Sequence, residues 1–309
     1  MLEEFGKEYN IPISFPLKPM SIAAFISHLD LRGLAASTIT AYLTGINYFQ
    51  KSMGFKDLTS DLLVNKVMIG LQKRGVKRTP KAAVNLASLE KLITAAAMCL
   101  NNLHDIKTFQ CYLSVQFFGL FRISELLGDP KLNIPALQMQ HVQLKPNTAL
   151  IDLISYKHSA GKGAEIQICQ QFNSNICPIM LLKKYILVRG TGPGPFFVSS
   201  SGRPLSKRLC AAQLRRCCAA AGFTPNLFTS HCLRVGAASL AAQMGKSTAE
   251  IMTLGRWSSS AYVQYIRSVE PLMAPLNFSP RCGAALPPAQ RHPWPQAAPP
   301  RASATRPTR

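Results

Sequence analysis

The first 72 residues repeat one pattern. Ile22, Phe25, Ile26 and Leu29 fall at i, i+3, i+4 and i+7; so do Ile39, Tyr42, Leu43 and Ile46, behind an N-cap expected at Ser37, and then Val64, Val67, Met68 and Leu71. A period near 3.6 places each set on one helix face, so the three segments predict a small helical bundle. Further on, Ser88 with Glu90 behind it predicts a capped helix reaching residue 100. An apolar run too long for a strand predicts a second, largely buried helix over 105–127. Residues 149–154 and 164–169 change to strand patterning on either side of a Ser-Ala-Gly-Lys-Gly turn, which predicts a β-hairpin with Lys157 and Lys162 at or near its tip. Helical patterning returns after Pro178, at 180–188, 206–220, 230–244, 248–254 and 261–269. From 278 to 309 the chain is mostly Pro, Ala and Arg, a composition that predicts disorder. The fold class expected is therefore mainly α with a small β-sheet (α+β). It comprises a helical domain over 1–72, a linker at 73–83, a mixed domain over 84–277 and a tail.

Composition agrees with this division. A chain of 309 residues suits two domains and a tail, and 47% hydrophobic with 16% charged residues is a globular balance. Charge adds something new. Residues 1–72 hold six Lys/Arg and six Asp/Glu, 73–277 hold 24 against eight, and the tail holds five Arg and no acid. The net +21 thus begins at Lys73, and a surplus confined in this way is the footprint of a polyanion, with nucleic acid the first candidate and anionic membrane the second. In the linker, Lys73, Arg74, Lys77, Arg78 and Lys81 occur with no acid among them. Such a run is either a solvated connector or a strap that grips a phosphate backbone, and its place between two folded units favours the strap.

Other classes fit less well. The longest strongly apolar uncharged run, 108–121, is too short to span a bilayer, and the acidic start MLEEFGKEYN is unlike a signal peptide. The nine cysteines form no C-x-x-C pair, so they read as reduced thiols of a cytosolic or nuclear protein, with no metal site expected.

The candidate chemistry lies in the second domain. His231 and Arg234 are three apart on a predicted helix, hence on one face, and Thr229 or Ser230 would start that helix, so its free N–H groups add positive potential. Together they make an anion site. The pair alone is a weak signal, but it stands in an ordered series: FRISELLG at 121–128, a lysine in a hairpin, SHCLRVGAAS at 230–239 and LGRWSSSAYVQYIR at 254–267. This series resembles the tyrosine recombinases, or phage-integrase family, over residues 10 to 270. The strings GRWSS and YIR are most similar to the recombinases of DIRS-like eukaryotic retrotransposons.

The resemblance implies a set of roles. Arg122 and Arg234 would grip the non-bridging oxygens of one phosphate and favour the added charge of the transition state. His231 would take the nucleophile's proton or hold the phosphate. Lys157, with Lys162 as its rival, would protonate the departing 5′ oxygen. Tyr265 would be the nucleophile, ahead of Tyr262, because only Tyr265 precedes Ile-Arg as in the family pattern. Many relatives read Leu-Gly-His-Ser-Ser where this chain has Leu254-Gly255-Arg256-Trp257-Ser258, so Arg256 or Trp257 stands in for the usual histidine. Either could donate a hydrogen bond to a phosphate, and neither accepts a proton at neutral pH. The resemblance also implies a helical N-terminal DNA-binding domain that closes with the catalytic domain on double-stranded DNA as a C-shaped clamp. It implies a homo-tetramer on two duplexes, a nuclear location (cytoplasmic in a prokaryote), and a reaction needing neither ATP nor a metal. The rival reading is a catalytically silent DNA-binding protein derived from such an enzyme. A type IB topoisomerase shares the chemistry but has an extended N-terminal clamp that this chain lacks.

Overall fold

The computed structural model of the protein describes residues 1–74, 81–156, 159 and 161–266. The chain divides into two compact units, Met1–Thr79 and Pro80–Arg309.

The first unit holds four helices: α1 (Leu2–Glu8), α2 (Pro19–Leu31), α3 (Ala36–Ser52) and α4 (Leu62–Arg74). Ile22, Phe25, Ile26 and Leu29 of α2 are its buried centre, with Ile39 and Leu43 of α3 and Val64 and Leu71 of α4 packed in the same cluster. Tyr42, expected in that row, is instead exposed. Helix α1 has no counterpart in the periodicity: at seven residues it is too short to repeat a pattern, and Phe5 anchors it with Leu2 beside the same core, Phe5 standing edge-on to Phe25 with ring centroids 5.3 Å apart. Helix α3 begins at Ala36, so Ser37 lies inside it and not at its cap. Lys73 and Arg74, expected in the linker, form the last turn of α4, where cations face the negative end of the helix dipole; Arg74 also pairs with Asp30 at 2.8 Å. Lys77 and Arg78 lie outside the described residues.

The second unit contains α5 (Leu86–Cys99), α6 (Leu103–Phe118), α7 (Ile123–Leu127), β1 (Val142–Leu144), β2 (Thr148–Leu153), β3 (Ala164–Cys169), α8 (Pro178–Arg189), α9 (Lys207–Ala220), α10 (Ser230–Gln243) and α11 (Thr248–Gly255). The segment leading into α5 is docked. The Ala82 and Val84 amides donate to the Leu227 and Cys232 carbonyls, and a side chain at Gly236 would strike the Val84 carbonyl. The cap of α5 is Asn85, whose side chain accepts from the Ser88 amide at 2.8 Å, while Glu90 is turned to Asn173 and Asn175. Helix α6 is buried along most of its length, as its apolar sequence requires.

The sheet has three antiparallel strands in the order β1-β2-β3, with Val142 opposite Ile151 and Leu153 opposite Ala164. Ala149, Ile151 and Leu153 point into the core by the two-residue period of a strand. Strand β1 escapes the sequence pattern because three residues are too few to alternate. Lys157 and the tail beyond residue 266 lie outside the described residues.

One departure from expectation builds the site. The helix predicted over 105–127 is two helices, because α6 stops at Phe118 and the chain turns through Gly119, Leu120 and Phe121 before α7. Leu120 is fully buried at φ +48°, a left-handed conformation that costs a residue with a side chain about 1–2 kcal/mol. Its carbonyl accepts from both Arg234 and Arg256, so the strained turn is held by two guanidiniums.

Candidate active site

Four pieces of chain meet around one buried carboxylate. The turn after α6 brings Arg122, which is the N-cap of α7; α7 brings Glu125; the first turn of α10 brings His231 and Arg234; and the end of α11 brings Arg256 and Trp257. A 3-10 helix, Ser260–Tyr265, then carries Tyr262 and Tyr265. It replaces the helix expected over 261–269, whose last residues lie outside the described ones.

Glu125 is the centre. Its side chain is fully buried, and it bonds the Arg122 guanidinium at 2.7 Å, the Arg122 amide at 2.8 Å and the Arg256 guanidinium at 2.7 Å, with Arg234 at 3.9 Å. Burial pushes the carboxyl pKa up, but Arg256, Arg234 and Arg122 more than offset it, so Glu125 stays below the ordinary carboxylate range and is an anion at neutral pH. A buried charge is tolerated only when paired in this way.

Arg234 is also fully buried. Its two terminal nitrogens donate to the Leu120 and Gly255 carbonyls, and its guanidinium lies 4.4 Å from the centre of the Trp257 ring. Each of those nitrogens has a second N–H, and Nε is buried with no partner among the described residues. Burial, then the charges of Arg256 and Arg122, lower its pKa, while Glu125 opposes them.

Tyr265 contacts two rings, one of which, Trp257, lies over Arg234. Tyr265 meets His231 at 4.9 Å and 62°, and Trp257 at 5.1 Å and 61°. Tyr262, the other tyrosine considered, is turned into the core with its hydroxyl donating to Thr248 at 2.9 Å. His231 is exposed at the surface, yet desolvation of its ring by its neighbours, then Arg234 and Arg122, lower its pKa, so at neutral pH the imidazole is uncharged and able to accept a proton.

Arg256 and Trp257 part company at the end of α11. Arg256 takes the left-handed cap conformation, φ +54°, and its side chain, only 3% exposed, folds inward over Phe121. It donates to the Gly119, Leu120 and Leu254 carbonyls as well as to Glu125. Trp257 is the one of the two beside Tyr265. Gly255 makes room for it, since a Cβ there would lie 1.6 Å from the indole ring.

Lys162 is exposed in the turn before β3, its amide bonded to the Ser159 carbonyl, and Lys157 lies outside the described residues. Lys73 is exposed at the end of α4, and exposed Lys81 reaches the Asn226 carbonyl. Three structural participants have no role legible in the sequence: the Leu120 carbonyl, and Phe121 and Gly255, which lie inside the motifs but whose contacts with Arg256 and Trp257 are tertiary. A left-handed leucine has no sequence signature, and a lone glycine has many uses.

No protein-family model matches the chain. In sequence it is similar to the integrase/recombinase XerD homolog of Selenomonas ruminantium, 25% identical over 268 residues that cover 83% of this chain and 75% of that protein. In structure it is similar to the XerH site-specific recombinase bound to palindromic difH substrate in a post-cleavage complex, with a TM-score of 0.59, 16% identity, and 87% of this chain and 73% of that one covered. The Tn1549 transposon integrase in complex with circular intermediate DNA gives a TM-score of 0.58 at 13% identity, covering 87% and 90%. A lambda integrase dimer bound to a core site gives 0.53 at 15% identity, covering 88% and 73%. The fold is that of the two-domain tyrosine recombinases, and the family resemblance drawn from the motifs stands on both sequence and fold.

Proposed function

We propose that the chain is a tyrosine recombinase that cleaves and rejoins double-stranded DNA through a covalent 3′-phosphotyrosyl intermediate on Tyr265. The observation that carries this is the contact of the Tyr265 phenol with both the neutral His231 imidazole and the Trp257 indole that covers Arg234, with Arg122 and Arg234 beside one buried carboxylate.

The chemistry follows from that arrangement. A phenol is mostly protonated at neutral pH and attacks well only as it loses its proton. His231 accepts that proton as the Tyr265 oxygen bonds to phosphorus. Arg122 and Arg234 stabilise the charge gathering on the non-bridging oxygens, each by charge-assisted N–H donation. The bond from phosphorus to the 5′ oxygen breaks, and that oxygen takes a proton from Lys157, or from Lys162 in the same turn. The product is a phosphotyrosyl ester and a free 5′ hydroxyl, and attack by another 5′ hydroxyl reverses the steps and rejoins DNA.

The same reading makes the helical unit a DNA-binding domain, the five basic residues at 73–81 a phosphate-binding strap, and the working assembly four protomers on two duplexes. The strings GRWSS and YIR support descent from a DIRS-like mobile element, acting in a nucleus.

A labelled nicked duplex, drawn from a random-sequence pool, tests the polarity. Label on the 5′ side of the break should enter a protein adduct, and the released strand should carry a 5′ end that polynucleotide kinase can phosphorylate. Binding without any adduct supports the catalytically silent alternative instead.

A further inference from the structure

The position where many relatives carry a histidine prompts the question of what Arg256 does. An arginine there invites the answer that it contacts DNA, since the chain is basic and guanidinium suits phosphate. Its surroundings say otherwise. Its guanidinium is committed to Glu125 at 2.7 Å and to three backbone carbonyls over the Phe121 ring, with the side chain 3% exposed, whereas Arg234, equally buried, bonds only the Leu120 and Gly255 carbonyls among the described residues, stands 3.9 Å from Glu125 and lies against Trp257.

We infer that Arg256 is a positioning residue which occupies Glu125 and thereby keeps Arg234 on the Leu120 and Gly255 carbonyls, beside Trp257 and next to Tyr265. This rests on the recombinase reading. The argument is one of competition for a single oxygen. Glu125 Oε1 holds Arg122 at 2.7 Å, while Oε2 holds the Arg122 amide at 2.8 Å and Arg256 at 2.7 Å. Arg234 stands 3.9 Å from Oε2, outside hydrogen-bond range. With Arg256 removed, a buried carboxylate would lose one of the two cations bonded to it, and attraction between unit charges is strong in a dry interior. Arg234 would close the gap and form the ion pair that Arg256 now forms. It would then be drawn away from Tyr265 and Trp257, on the side where the phosphate is expected.

The backbone serves the same division of labour. The left-handed conformation at Arg256 terminates α11 and sends successive side chains in opposite directions, Arg256 inward and Trp257 towards Tyr265. Phosphate-facing and core-facing tasks that could fall to one residue are thus split between two neighbours.

The test compares Arg256→Met, Arg256→Lys and Arg256→Gly with the parent. Methionine keeps bulk without charge, lysine restores a charge opposite Glu125, and glycine favours the left-handed turn while removing the side chain. DNA affinity is measured against salt, and adduct formation is measured at saturating DNA below the unfolding range of each variant. Expected is an unchanged salt slope in all three variants. Adduct formation should fall at least about tenfold in Arg256→Met and Arg256→Gly, with Arg256→Lys restored to within about threefold of the parent, because a loss of charge stabilisation acts on the chemical step. A salt slope flatter by about one unit would mean that Arg256 neutralises a phosphate, and would overturn the inference. So would an unchanged rate in Arg256→Met, or an equal loss in Arg256→Lys, since the charge would then not matter. If the parent forms no adduct, the recombinase reading fails, and the salt slope still decides whether Arg256 faces DNA or Glu125.

Discussion

The rings of His231 and Tyr265 meet edge to face, 4.9 Å between centroids, although 34 positions separate them in the chain. An imidazole kept neutral beside a phenol is the pairing a proton transfer requires. Desolvation by its neighbours lowers the His231 pKa first, and the charges of Arg234 and Arg122 lower it further, so the base form persists at pH values where a free histidine is already protonated. The acid limb of the adduct-forming rate should therefore have its midpoint below 6.5, with a flat rate above it. The same sign applies to stability: the unfolded state binds this proton more readily, so the contribution is complete above 6.5 and is lost as pH falls through the lowered value. His231→Gln should abolish the limb and slow adduct formation by about a hundredfold or more. A limb that survives in this variant would assign the proton to another group.

Arg122 and Arg234 should agree in chemistry, and both should contribute to stability. Either alanine variant should slow cleavage by at least about a hundredfold, as when one donor is removed from a site of developing charge. Arg122 is one of the two guanidiniums bonded to buried Glu125, so its loss should cost about 3–5 kcal/mol, and the loss of fully buried Arg234 leaves a cavity costing about 2–5 kcal/mol. Denaturant unfolding beside single-turnover cleavage checks both. Less than about a tenfold loss of rate for either would make that arginine a structural residue.

Gly255→Ala tests the seat of Trp257. The new methyl group would lie 1.6 Å from the present indole position, so the ring must move or the helix end must shift. Overpacking of this kind costs about 1–3 kcal/mol. The chain has two tryptophans, Trp257 and Trp294, so the effect reads out as a change in fluorescence in a Trp294→Phe background. An unaltered spectrum would mean that the indole does not pack on Gly255.

The basic run at 73–81 should set the salt dependence of DNA binding. Each phosphate contact contributes about −0.9 to the slope of log affinity against log salt. Changing Lys73, Arg74, Lys77, Arg78 and Lys81 to Gln should reduce its magnitude by about three to five units and weaken all sequences alike. Arg74 already pairs with Asp30, so its share should be the smallest. An unchanged slope would make the run a connector, and Lys183, Lys184, Lys207, Arg208, Arg215 and Arg216 the next residues to change.

What could be read from the sequence follows from how local each signal is. Helices with a long amphipathic face, such as α2, were legible because four core residues repeat at the helix period. The split between α6 and α7 was not, because Phe117 to Phe121 are apolar for packing reasons that hold in a helix and in a turn alike. His231, Arg234 and Tyr265 were legible through ordered motifs, and the fold does bring them together. The choice between Arg256 and Trp257 was not, because it depends on a single left-handed residue and on a carboxylate 131 positions away. Glu125 was visible as a partner of Arg122, but its hold on three guanidiniums needed the tertiary structure.

The central claim is that Tyr265 attacks the phosphate, and the direct measurement is covalent adduct on nicked duplex DNA with the parent, Tyr265→Phe and Tyr262→Phe. The account predicts an adduct with the parent, whose phosphorylated peptide contains Tyr265, and none with Tyr265→Phe, which should still bind DNA with nearly the parent's affinity because only the attacking oxygen is gone. Tyr262→Phe should retain the adduct, since its hydroxyl is bonded to Thr248 inside the core. An adduct that persists in Tyr265→Phe and vanishes in Tyr262→Phe would contradict the account.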